Sequence, residues 1–182
     1  MTEKNNYLAQ HFLVAMPTLN DPTFKKSVVY VYEHNEKGAM GMVINKPMQI
    51  NLGNILKHLG IDSIKDDVIT LPVLMGGPVG QEHGFILYQA AKKKQKSIEI
   101  TASKDMLERI ATGKGPNDFL VTLGYAGWTS GQIEQEVARN DWLIVPADPT
   151  ILFTTPIGQR WQGAAQLIGV DINQISSLTG RG

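Results

Sequence analysis

The chain has 182 residues, 17 Lys+Arg against 17 Asp+Glu, 42% hydrophobic residues and no cysteine. A chain of this size buries roughly 70% of its unfolded surface, enough for one core without staples, and the missing thiols exclude disulfides, a cysteine nucleophile and thiolate metal sites. A net charge of +0 gives no global pull toward nucleic acid or anionic lipid, and no apolar run approaches the ~18 residues of a membrane helix, so one cytoplasmic domain over 1–182 is expected, without membrane association and with loosely ordered ends at 1–10 and 171–182.

His11 to Met16, Ser27 to Glu33 and Ala39 to Ile44 read as strands, being short, rich in β-branched or aromatic residues and bounded by Gly, Pro or Asn. His34-Asn35-Glu36-Lys37-Gly38 joins the second to the third as a five-residue hairpin loop, which predicts an antiparallel pair. Asn51 then caps a helix whose Leu52, Ile55, Leu56 and Leu59 form one stripe before Gly60. Leu71 to Met75, Gly84 to Gln89 and Ser97 to Thr101 read as further strands. Only the last alternates cleanly; the others are apolar on both faces and belong between layers. The run Lys92-Lys93-Lys94-Gln95-Lys96 reads as a solvated loop between two strands, because it lacks the aromatics on which single-strand binders stack bases.

Ser103 caps a second helix, with Met106, Leu107, Ile110 and Ala111 inward and Gly113 as its stop. Phe119 to Leu123 is a strand leading into a loop, Gly124-Tyr125-Ala126-Gly127-Trp128. Thr129 and Gln132 then have capping-box spacing for a third helix, with Ile133 and Val137 inward and Glu134, Gln135, Glu136 and Arg139 outward. After a strand at Trp142 to Val145, Pro156 opens a fourth helix that carries Ile157, Trp161, Ala164, Ala165 and Ile168 to Gly169. Strands and helices follow no strict alternation. The expected fold is therefore α+β, a single compact domain with a mixed, largely antiparallel sheet wrapped by about four helices.

His11-Phe12-Leu13-Val14-Ala15-Met16-Pro17, Asp21-Pro22 through Glu33-His34-Asn35, Gly38-Ala39-Met40-Gly41 with Asn45-Lys46-Pro47, Gly76-Gly77-Pro78-Val79, Leu123 to Trp128 with Gly131-Gln132, Asn140 to Leu143 and Arg160-Trp161 together resemble the YqgE/AlgH family of bacterial proteins. The resemblance runs in order along nearly the whole chain. It implies a coiled mixed sheet wrapped by helices, and it implies no chemistry: members are generally uncharacterised, and some carry the label of transcriptional regulator. Where many members follow Gly-Phe-x-Leu with His, this chain has Tyr88 after Gly84-Phe85-Ile86-Leu87, so a role for an imidazole there does not carry over.

The four histidines, His11, His34, His58 and His83, show no ligand spacing, so neither a metal nor another cofactor is expected. Gly76-Gly77-Pro78-Val79-Gly80 lacks the Lys-Ser/Thr ending of a phosphate loop; it reads as a tight turn or a place where another backbone approaches closely. The Tyr125 to Trp128 loop sets large amphipathic rings beside a helix N-terminus. The leading expectation is a non-enzymatic protein that binds a protein partner or a small ligand in a cleft formed by Gly76, Gly77 and Pro78 facing Tyr125 and a partly exposed Trp128, with His34 and Asn35 as further contacts. One alternative is an enzyme that uses Glu33, His34 or Asp148 with backbone donors. The other is a DNA-binding regulator, against which the acidic outward face of the third helix counts.

Overall fold

The computed structural model describes residues 7–92 and 95–178, which carry nine strands and seven α-helices. The first three strands, β1 (His11–Ala15), β2 (Val28–Asn35) and β3 (Gly38–Val43), form an antiparallel meander. The β2–β3 hairpin is tighter than the expected five-residue loop: Asn35 already pairs with Gly38, leaving a two-residue turn. A bulge between Val31 and Glu33 inserts one residue, so the buried side chain of His34 follows those of Val29 and Val31 onto one face.

Next come β4 (Pro47–Asn51), α1 (Leu52–His58), α2 (Asp66–Ile69) and β5 (Pro72–Met75). The α1 cap is reciprocal: Asn51 Oδ1 accepts from the Asn54 amide at 3.0 Å and Asn54 Oδ1 from the Asn51 amide at 2.9 Å. The hairpin of β6 (Val79–Lys92) and β7 (Gln95–Thr101) pairs Lys92 with Gln95, and the centre of the lysine run, 93–94, lies outside the described residues. Then follow α3 (Lys104–Ala111), β8 (Phe119–Thr129), α4 (Gln132–Ala138), β9 (Trp142–Pro146), α5 (Pro149–Phe153), a 3₁₀ turn at Ile157–Gln159, α6 (Arg160–Gln166) and α7 (Ile172–Leu178).

One strand organises the sheet. The first half of β8 lies between β5, its one parallel neighbour, and antiparallel β6; its second half pairs with β3, and β2, β1 and β9 follow outward. The change of partner falls at Gly124, whose φ of 75° bends the strand in a way a side chain resists. The stretch expected as a loop, Gly124 to Trp128, is therefore strand.

Strand alternation divides the interior into three clusters. Phe12, Val14, Val28 and Tyr30 pack with α5, α6 and α7 between the two halves of the sheet. Leu13, Ala15, Val29, Val31 and Trp128 pack beneath α4, and Ile86 and Val121 pack beneath α1 and α3. Both faces of β1 and β2 are thus buried, which is why neither alternates in sequence. At about 1.5–3 kcal/mol per fully buried large side chain, these clusters supply the main stabilisation.

Two helix starts differ from expectation. Gly131, not Thr129, caps α4, although the Gln132 side chain still reaches back to accept from the Thr129 amide at 3.0 Å. The expected fourth helix is split, with α6 proper starting at Arg160. Of the expected loose ends, 1–6 and 179–182 lie outside the described residues. Elsewhere in them, Leu8 packs under α4 and α7 forms with Ile172 buried.

Candidate functional site

The Gly76–Gly77 turn lies directly against β8. The Gly76 amide donates to the Leu123 carbonyl at 2.8 Å, and its own carbonyl accepts from the Val43 amide at 2.7 Å. A Cβ on Gly76 would strike the Gly124 carbonyl oxygen and one on Gly77 the Tyr125 backbone, so both positions require glycine for close backbone approach. Pro78 follows this contact into β6.

Tyr125 and Trp128 are three residues apart on one strand and enter different clusters: Tyr125 meets Phe85 edge to face at 6.1 Å, while Trp128 lies under α4 at 7% exposure. Trp128, expected to be partly exposed at a cleft, is a buried ring. Its indole N–H donates to Glu136 Oε2 at 2.8 Å, and the Trp142 indole donates to the same oxygen at 3.0 Å. Glu136, expected on the outward face of the third helix, is half-buried between two tryptophans because they need its oxygen.

His34 is also buried, at 2% exposure. The Leu8 amide donates to Nδ1 at 3.2 Å, so the proton sits on Nε2, which donates to Glu134 Oε1 at 2.7 Å. Asn35 shapes the hairpin, accepting from the Lys37 amide and donating to Glu33. Asp148 caps α5 through the Thr150 amide at 2.7 Å. Among the described residues no group of three or more His, Asp and Glu could hold a metal ion.

The concavity that stands out chemically is elsewhere. A cavity of about 460 Å³ opens between α1 and α3 over the outer face of β6 and β8. Ile86, Val121 and Leu123 make its floor, Ile55, Leu59 and Leu107 its walls, and Asn54, His58, Gln81, Glu82, Ser103 and Lys104 bring polar atoms to it. The space beneath exists because Gly84 has no side chain: a Cβ there would meet only Leu123 Cδ2 at 3.5 Å and the Thr122 carbonyl at 3.9 Å. The α1 stripe divides here, with Leu52 and Leu56 buried in the core and Leu59, 40% exposed, left to the cavity. Sequence reasoning singled out the stripe and the Gly84 strand but no site in them; the one available signal was a small residue in a strand under a stripe wider than a seven-residue helix needs.

A family model described as AlgH-like matches residues 12–173. The chain belongs to the AlgH-like family. Among its AlgH-like relatives, a UPF0301 protein of Coxiella burnetii is 58% identical over 177 residues, covering 97% of this chain and 98% of that protein. One of Proteus mirabilis is 51% identical over 183 residues, covering 95% and 98%. The solution structure of the AlgH protein from Pseudomonas aeruginosa superposes with a TM-score of 0.77 at 40% identity, over 100% of this chain and 98% of that one. A Corynebacterium diphtheriae protein at 20% identity, over 96% and 94%, shares the fold with a TM-score of 0.76. The overall fold is thus shared with an AlgH protein and with a structure of low sequence identity.

Proposed function

We propose that this protein works by binding, and that its ligand is a small molecule with an apolar body and one polar end, seated in the cavity between α1 and α3. The observation that carries this reading is the cavity itself: about 460 Å³ of mostly apolar lining, with a cation, a carboxylate and an imidazole among its few polar groups. Ligand pockets of this size are typically apolar inside with a few polar groups that set orientation. Lys104 can donate to the polar end and Glu82 can accept from it, so the ligand's head carries both functions.

A fluorescent apolar probe, anilinonaphthalene sulfonate, tests the reading. We expect saturable one-to-one binding to the wild-type protein and at least about ten-fold weaker binding to Gly84→Val, whose Cβ has room at ordinary contact distances and whose methyl groups add bulk at the floor, at an unchanged thermal midpoint. Equal binding by the two proteins, or no binding by either, removes the cavity as the functional site.

A further inference from the structure

Arg160, the first residue of α6, is 7% exposed and packs in the cluster between the two halves of the sheet. Its Nε–H donates to the Thr155 carbonyl at 3.0 Å, and Nη1 donates to the Ile44 carbonyl. A guanidinium has five N–H donors, so these two bonds leave three. Among the described residues no carboxylate forms an ion pair with Arg160. Burial alone pushes its pKa down to about 10, with no neighbouring charge offsetting the shift. Buried arginines are ordinarily paired, because a desolvated cation without a countercharge is costly.

The same side chain lines a second cavity, of about 120 Å³, between the β5–β8 edge and α5. Every other lining residue is apolar, including Leu71, Phe119, Leu152, Phe153 and Ile157. A charge that lacks its counterion and borders an apolar space calls for a ligand combining both properties. We infer that this cavity binds a small monocarboxylate with a short alkyl tail, its carboxylate on the unused donors of Arg160 and its tail against Phe119 and Phe153. The planar guanidinium matches a carboxylate in two parallel hydrogen bonds, and such charge-assisted bonds are roughly twice as strong as neutral ones. At ~30 Å³ per water the space equals about four waters, which limits the ligand to about four to six non-hydrogen atoms. Acetate to butyrate fit that limit. Val121 borders both this space and the α1–α3 cavity, but the two have no polar lining residue in common, and the inference does not depend on the function proposed there.

The test follows the Arg160 Nε–H resonance of ¹⁵N-labelled wild-type protein during titration with sodium butyrate and, in parallel, with butyramide, at constant ionic strength. Butyramide has the same shape without the charge. We expect a saturable shift with butyrate and at least about ten-fold weaker binding of butyramide. Arg160→Lys, which keeps the charge but loses the planar fork, should weaken butyrate binding, whereas Gly84→Val should leave it unchanged. No saturable shift, equal response to acid and amide, or a folded Arg160→Lys variant that binds butyrate like wild type overturns the inference and leaves Arg160 as a tether for two carbonyls. Should Arg160→Lys fail to fold, the acid-against-amide comparison on the wild type decides.

Discussion

Glu136 shows how one side chain acquires its importance from its neighbours. Oε2 accepts from both buried indoles and Oε1 from Gln132 Nε2 at 3.1 Å, so Glu136→Ala leaves two buried N–H groups without partners. At about 1–3 kcal/mol per stranded donor, the loss should be about 2–6 kcal/mol, read from the urea midpoint. Trp128→Phe removes one donor and keeps an apolar ring, and should cost only about 1–2 kcal/mol. Tyr30 gives a second test. Its burial, helped by Glu99 and Tyr32, raises its pKa from 10.0 to about 12. Between these values the unfolded chain has lost the phenolic proton and the native chain retains it, so the group's contribution is complete below pH 10 and lost as pH rises through about 12. Arg160, with its pKa lowered toward 10, acts in the opposite direction over the same range, so the effect must be read as a difference. Relative to Tyr30→Phe, the wild type should lose about 2–3 kcal/mol of stability across that interval, followed by denaturant unfolding at each pH.

The glycine-rich turn and β8 act as one unit, joined backbone to backbone. Because the atoms opposite Gly77 are main chain, no rotamer change can relieve an added methyl. Gly77→Ala should cost about 2–4 kcal/mol through overpacking. Gly60, with φ of 70° and nothing within 4 Å of the place a methyl would occupy, separates conformation from crowding. Gly60→Ala should cost only the left-handed penalty of about 1–2 kcal/mol. Similar losses at the two positions, in parallel thermal melts, would show that the turn is not held by close approach. The hairpin, α1 with its asparagine cap and the inward residues of α3 were all legible in the sequence, since local spacing and capping chemistry specify them. The extent of β8 was not. Two glycines within five residues resemble loop punctuation, yet Gly127 lies in a paired strand and Gly124 supplies the bend after which β8 leaves β5, keeps β6 only through the Val79–Tyr125 pair, and takes up β3.

For the whole molecule, balanced charge bears on nucleic acid. Formal net charge is +0, and α4, the helix beside Trp128, spends Glu134 on His34 and Glu136 on two indoles. We expect no sequence-specific duplex binding at physiological salt; a competitor-resistant mobility shift with a dissociation constant near the ~10⁻⁸ M of specific complexes would refute this.

Composition, periodicity and capping residues were enough to establish one α+β chain with a mixed sheet, an antiparallel hairpin and helices starting near Asn51 and Ser103, because these depend on residues close together along the chain. The motifs spread from His11 to Trp161 were enough to place it beside AlgH-like proteins. Folding alone decided which groups meet. His34 faces Glu134, 100 positions away, through a bulge that shifts the strand's alternation by one. Tyr125 and Trp128, neighbours in sequence, part into different cores because a strand shows opposite faces to residues three apart. Arg160 reaches Ile44 across 116 positions and comes to border an apolar space without a countercharge. Cavities are what packing leaves unfilled, and no local pattern encodes them: the α1–α3 cavity depends on a glycine in β6 lying beneath a helix stripe contributed some thirty residues earlier.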